Sequence, residues 1–255
     1  LLLPCIAGFV GADTSSVMLA CEFDRRDELT LAIDIGTNGE IVLGNRDGFT
    51  CCATAAGPAF EGAEIECGMS AKAGAIDSVR IENGKITAHV IGGGKAKGIC
   101  GSGLIDAVAA MLSLGIIGKS GRFLKGFTEL GGKKVFMLAD GVYLSAQDIR
   151  KLQLAKAAIR AGIDTLLDGN EARELIVAGG FGNYINVESA VKIGLLPDFG
   201  AEKIRQAGNA AAAGAALLLE PDNELILNSL AEKCDYVDLS SSEEFSENYI
   251  KYLNF

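Results

Sequence analysis

The sequence predicts a mixed α/β fold whose sheet has one antiparallel edge. Strands come first as hairpins, strands and helices alternate later, and glycine marks the joints. Residues 10–21 read as a short helix entered through Gly11-Ala12. Residues 29–35 form an apolar run of strand length ending in Asp34-Ile35-Gly36, with further strands at 40–43 and 49–53. The joints Thr37-Asn38-Gly39 and Asn45-Arg46-Asp47-Gly48 suit hairpin turns, because Asn and Gly tolerate positive φ. Residues 58–67 read as a helix with Pro58 in its first turn, and 79–81 with 85–91 as a hairpin around Asn83-Gly84.

A helix over 102–114 starts from the glycine-rich Gly98-Ile99-Cys100-Gly101. Residues 118–145 are a polar, glycine-spaced insertion with strands near 135–138 and 142–144. Ser145 then caps a helix reaching residue 167, with Asp148 three residues on in capping-box style. Residues 175–178 are a buried strand, followed by helices at 187–193, 207–219 and 223–231, a strand at 236–239 and a last helix at 243–252. No linker, low-complexity tract or solenoid period divides the chain.

The 255 residues are 49% hydrophobic, which excludes disorder and suffices for one large or two small domains. Lys and Arg number 23 against 33 Asp and Glu, a net charge of −10 with no basic cluster, which disfavours a nucleic-acid partner. No apolar run is long enough to span a membrane, and Leu1-Leu2-Leu3-Pro4 has neither the basic flank nor the length of a signal peptide. The chain opens without Met and reads as a piece of a longer, cytoplasmic protein. Its seven cysteines (5, 21, 51, 52, 67, 100 and 234) show no CxxC spacing and are expected to be reduced, small core residues. The single histidine, His89, precludes a multi-histidine metal site within the chain and is expected on a strand face.

Four motifs carry chemistry. In Asp34-Ile35-Gly36-Thr37-Asn38-Gly39-Glu40, a carboxylate ends a buried strand and a glycine-rich turn follows. That pairing suits a phosphate with its Mg²⁺, or a tight hairpin whose Asp bonds backbone amides. Thr54-Ala55-Ala56-Gly57-Pro58-Ala59-Phe60-Glu61-Gly62 offers either a helix start with free N–H donors or close packing. Ala178-Gly179-Gly180-Phe181-Gly182-Asn183 lets a flat ring or ribose approach the backbone, or is a packing turn. Gly98-Ile99-Cys100-Gly101-Ser102-Gly103 could hold a further anion at Gly101 and Ser102 or serve as a plain loop. A fifth stretch, Gly208 to Ala216, is a helix almost without side-chain bulk and reads as a hinge contact; alanine-rich surface helices permit a homodimer.

The order of these motifs resembles the second half of the actin-like ATPase (ASKHA, ribonuclease H-like) fold, an α/β fold with a mixed sheet, antiparallel hairpin strands and flanking helices. Residues 8–21 are similar to its first connecting helix, 33–41 to its second phosphate loop, 177–183 to its adenosine loop and 207–219 to its second connecting helix. The closer resemblance is to the ATP-dependent reductive activators of corrinoid proteins, carried by GFVGADT (8–14), DIGTNGEIVLG (34–44), TAAGPAFEGA (54–63), GAI (74–76) and GICGSGLIDA (98–107). The resemblance implies that residues 1–28 are connecting helix and lead-in, 29–220 the nucleotide-binding lobe with its insertion at 118–145, and 221–255 a helix-strand-helix. It places the first phosphate loop and a two-iron two-sulfur ferredoxin domain upstream, so this fragment alone is expected to hydrolyse ATP weakly or not at all.

Carried over by residue, the resemblance gives Asp13 and Asp34 the Mg²⁺ or the attacking water, with an N-cap role as the alternative for Asp13. It gives Gly36, Thr37, Asn38 and Gly39 the phosphates, and Gly57 and Glu61 one side of the nucleoside, with Gly179, Gly180, Phe181 and Gly182 on the other. The implied activity is ATP-driven reduction of Co(II) to Co(I) in a corrinoid partner during methyl transfer. The alternatives are a nucleotide-gated binding module and a small-molecule kinase of the same fold.

Overall fold

Hairpin turns and a parallel crossover together build the larger sheet of this chain, which a computed structural model describes over residues 3–255, with Asn183 described by its backbone alone. The expectation for Leu1-Leu2 lies outside the described residues. Two compact units form from interleaved segments. Unit 1 takes the chain up to Ala55, then Ala161–Asn183 and Asp198–Asn248; unit 2 takes Ala56–Arg160, Tyr184–Pro197 and Tyr249–Phe255.

In unit 1, helix α1 (Ala12–Ala20) precedes an antiparallel meander of β1 (Thr30–Ile35), β2 (Gly39–Asn45) and β3 (Gly48–Thr54). Strand β10 (Glu174–Ala178) joins β1 in parallel, β11 (Ile204–Gly208) joins β10, and β12 (Cys234–Tyr236) joins β3. The resulting order is β11-β10-β1-β2-β3-β12, a mixed sheet as expected. Alternation along the strands sends Ala32, Val42, Cys51 and Ile176 into one core with Val17 and Met18 of α1 and Leu227 and Leu230 of α6 (Asp222–Glu232). Helix α5 (Ala210–Leu217) also covers this face, and its Gly214 lies so close to the Ser16 carbonyl of α1 that a Cβ there would collide with it. The side-chain-poor helix is thus a helix-packing surface.

Unit 2 holds a sheet ordered β5-β4-β6, from β4 (Ala75–Glu82), β5 (Lys85–Val90) and β6 (Gly98–Ile99), with α2 (Gly101–Ser113) packed on β4. The Asn83-Gly84 turn forms with positive φ at both residues, as that dipeptide dictates. Residues 128–145 form a second meander of β7 (Thr128–Leu130), β8 (Lys133–Ala139) and β9 (Val142–Ser145). Helix α3 (Ala146–Leu167) follows, and its capping box is as read: Ser145 N donates to Asp148 Oδ2 at 2.9 Å and Asp148 N to Ser145 Oγ at 3.2 Å. Short α4 (Val187–Lys192) packs on α2, and α7 (Glu243–Lys251) leads to the C-terminal segment.

Several expectations need correction. Residues 58–67 are not a helix but a 3-10 turn, Pro58–Glu61, because Gly62 takes a left-handed φ of 76° and ends it. The helix read from 207 begins only at Ala210, because β11 occupies the preceding residues through its pairing with β10. The strand read at 236–239 lies at Cys234–Tyr236, where it pairs with β3. Cys21, Cys51, Cys52, Cys100 and Cys234 are buried as core residues, whereas Cys5 is exposed. His89 lies on β5 with Nδ1 2.6 Å from Asp77 Oδ1. Among the described residues no helix is long and apolar enough to cross a membrane.

Candidate functional site

The carboxyl end of β1 gathers the acidic residues of unit 1. Asp34 pairs with Glu40 across the β1–β2 hairpin, and cross-strand partners project from the same face. That face is the one α1 covers, which brings Asp13, in the first turn of α1, into the same electrostatic neighbourhood. Burial raises the pKa of Asp34, and the Asp13 charge raises it further. Glu40 is pushed up to about 7, first by burial, then by Asp13 and Asp34. Like charges at this spacing repel, so a cation or a strong donor brought to this spot stabilises all of them.

Asp13 does not cap α1. Gly11 is the N-cap, with no side-chain cap bond, and the exposed Asp13 carboxylate accepts from Thr14 N at 2.8 Å. Thr14 beside it is buried, with no hydrogen-bond partner for Oγ1 among the described residues. The turn after β1 closes through Gly36 N donating to the Asn38 carbonyl at 2.9 Å, which leaves Thr37 and Asn38 exposed. Gly39 is buried, its carbonyl accepting from Thr54 Oγ1 at 3.2 Å. A cavity of about 440 Å³ opens beside Asn38, bounded by Phe9, Thr54, Tyr236 and Asp238.

Because β10 runs parallel to β1, with Ala178 opposite Asp34, the turn after β10 reaches the acidic site. Gly179 has φ +97°, and a Cβ built there would sit 2.6 Å from Asp34 Oδ1, so only glycine allows this approach. Gly179 N donates to the Gly208 carbonyl at 2.9 Å, and Gln206 Nε2 to the Gly182 carbonyl at 2.9 Å, which fixes the turn against β11. Gly180 faces open space, Phe181 is half-buried, and Gly182 packs on Val177. The structure therefore brings together Asp13, Asp34, Gly36, Thr37, Asn38, Gly39 and the residues 179–182, and adds Glu40 and Thr14 to them. Glu40 was visible in the motif as written; the β1–β2 register was the missing signal.

Gly57, Glu61, Gly101 and Ser102 belong to unit 2. Gly57 has φ +75° with open space around it, and Glu61 is exposed in the turn that packs near α2. Gly101 opens α2 behind Cys100, which makes no side-chain cap bond. The Ser102 hydroxyl is occupied structurally: it donates to the Asp77 carbonyl at 2.8 Å and lies 3.4 Å from the Cys100 thiol.

Residues 28–255 match a family model described as the C-terminal domain of RACo, the ASKHA domain. The chain belongs to this family. Among curated relatives, a corrinoid activation enzyme, RamQ, of Eubacterium limosum is 38% identical over 97% of this chain and 46% of its own length. A [Co(II) methylated amine-specific corrinoid protein] reductase of Methanosarcina barkeri is 32% identical over 99% of this chain and 51% of its own. A solved structure titled reductive activator for corrinoid, iron-sulfur protein superposes with a TM-score of 0.92 at 38% identity, over 99% of this chain and 44% of that one. The chain thus spans about half the length of the curated relatives it matches.

Proposed function

We propose that this ASKHA domain is the ATP-binding part of a cytoplasmic reductive activator that drives Co(II) to Co(I) reduction of a corrinoid protein in methyl transfer. The observation that carries the proposal is a match over nearly the whole chain to three proteins whose names describe corrinoid activation or reduction. The acidic site of unit 1 suits that role. Among the described residues no three His, Cys, Asp or Glu side chains converge to cage a metal. A Mg²⁺ held by Asp34 and Asp13 would therefore keep water and phosphate oxygens for most of its coordination, as Mg²⁺ prefers. The raised pKa values of Asp34 and Glu40, and a Thr14 hydroxyl with no partner among the described residues, suit such an arrangement. When bound, the ion would neutralise phosphate charge.

On this proposal Gly36, Thr37, Asn38 and Gly39 meet the phosphates and the residues 179–182 the nucleoside. Gly57, Glu61, Gly101 and Ser102 are assigned to nucleotide contact on the family likeness alone. ATP acts by binding one conformation better than another, so its presence changes the affinity for the corrinoid partner and the ease of cobalt reduction. An iron–sulfur cluster belongs, on this reading, to a further domain.

The test is an anaerobic visible spectrum of a Co(II) corrinoid protein with the protein in its native full length and a reductant. A Co(I) band that forms only with Mg-ATP supports the proposal. A spectrum indifferent to ATP overturns it and favours a nucleotide-gated binding module or a kinase.

A further inference from the structure

The cavity of about 440 Å³ beside Asn38 lies wholly within unit 1. Asp238, an exposed residue, stands on its lining. Asp238 Oδ1 accepts from Ser240 N at 2.9 Å and from Ser240 Oγ at 2.7 Å, and these two donors fix the side chain and lower its pKa. Its other oxygen, Oδ2, has no hydrogen-bond partner among the described residues. The result is a positioned, ionised carboxylate with one oxygen left for an incoming donor.

The other walls narrow what can enter. Ala53, Ala55 and Leu239 give the cavity aliphatic surface, and two rings join them: Tyr236, half-buried, and Phe9, 76% exposed. Burial first, and the Asp238 charge second, raise the Tyr236 pKa, which sets that phenol in the field of the carboxylate. Among the described residues no Lys or Arg lines the cavity, so an anion finds nothing there to neutralise it. Ala53 lies opposite Glu40 in the sheet register, which carries the negative field of the acidic site to this wall, and the whole chain has a net charge of −10. A neutral apolar occupant would strip water from Asp238 and return nothing. The occupant that uses every wall has an aliphatic stem and a flat cationic head that stacks on rings and donates to a carboxylate.

We propose that this cavity is a docking site for a polypeptide partner that inserts one arginine side chain, its guanidinium donating to Asp238 and its stem lying against Phe9, Tyr236 and Leu239. Arginine fits better than lysine because its planar head stacks on aromatic rings and is more weakly hydrated. The charge-assisted hydrogen bond to Asp238 sets the specificity, and the apolar walls cover the stem. The proposal does not rest on the nucleotide reading: Phe9, Tyr236, Asp238 and Leu239 are none of the residues assigned to Mg²⁺ or ATP, and its test contains no nucleotide.

Amide NMR shifts of the isotope-labelled protein in its native full length, titrated with acetyl-Ala-Arg-Ala-amide, test the proposal. Two peptides serve as controls, one with lysine and one with citrulline, which keeps the shape of arginine without its charge. The arginine peptide shifts the signals of residues 53–55 and 236–240 saturably in the millimolar range, and the citrulline peptide binds at least about tenfold more weakly. Asp238→Asn keeps an acceptor for Ser240 but removes the charge, and weakens arginine binding by about tenfold. Phe9→Ala alters an exposed ring, leaves the melting temperature unchanged and weakens binding by about threefold. No saturable shift with the arginine peptide overturns the proposal. So does a citrulline or lysine peptide that binds as tightly, or arginine binding that the Asp238 substitution leaves unchanged.

Discussion

Asp148 in unit 2 and Asp34 in unit 1 are both carboxylates held by the fold, and they are held in opposite ways. Asp148 is fully buried, yet Glu66 N, Ser145 N and the Ser145 hydroxyl all donate to it, at 2.9, 2.9 and 2.8 Å. Asp34 is only half-buried, faces Glu40 across the hairpin, has Asp13 nearby, and its pKa is raised. The more deeply buried acid is the more comfortable one. Burial alone therefore does not mark a functional carboxylate; missing donors and like-charged neighbours do.

The largest effect that sharpens this comparison is expected at Asp148. Asp148→Ala leaves the Glu66 and Ser145 amides without an acceptor and removes the side-chain half of the capping box, at a cost of about 3 kcal/mol or a fall of roughly 6–12 °C in Tm. Calorimetric melting checks it, and an unchanged Tm would break the contrast. Asp34→Asn should do the reverse: the free protein melts no lower than the parent, while ATP affinity measured by titration in Mg²⁺ falls by about 100-fold. A large loss of Tm would make Asp34 a structural residue like Asp148.

Lys156 on α3 lies between these extremes. It is 1% exposed, donates to the Asn254 carbonyl and has its ammonium 5.4 Å from the centre of the Phe255 ring. Burial first, and the Arg160 charge second, lower its pKa to about 8. The unfolded chain keeps that proton up to its ordinary value of about 10.4. Between those values the unfolded state binds more protons, so stability rises with pH there and is lower below pH 8. Lys156→Met should remove about 1–2 kcal/mol of this pH-dependent rise, after allowing for the interactions that Lys156 keeps. Denaturant midpoints from pH 7.5 to 10.5 check this. A profile identical to the parent's would show that Lys156 stays charged in the fold.

The smallest effect concerns Glu40. Glu40→Gln removes a like charge facing Asp34 and should stabilise the nucleotide-free protein by about 0.5–1 kcal/mol. Mg-ATP, which brings the cation, should shrink that gain. Equal gains with and without Mg-ATP would separate Glu40 from the site.

Hairpins, the capping box and the glycine turn after β10 were legible because each is written in a few adjacent residues. Asn83-Gly84 accepts positive φ at both positions, and Ser145 and Asp148 answer each other within one helical turn. The turn after β1 was legible for the same reason, since Asp34 to Gly39 is contiguous. Strand β11 was not: Ile204-Arg205-Gln206-Ala207-Gly208 has no apolar run and is a strand because β10 offers it an edge. The 58–67 helix failed on a local cue, the left-handed Gly62, that outweighed the proline start.

The sequence by itself determined the mixed α/β class, the hairpin order of β1 to β3, the strand end that carries Asp34 and the turn that carries Gly179, because period, turn chemistry and caps act between near neighbours. Only the tertiary structure decided which acids face one another, that Gly179 rests on Asp34 and that α5 packs backbone-close on α1. Those facts depend on strand register and on contacts between residues far apart in the chain. Neither is encoded in any short window of sequence, since a shift of one residue in register would turn every side chain of a strand to the other face.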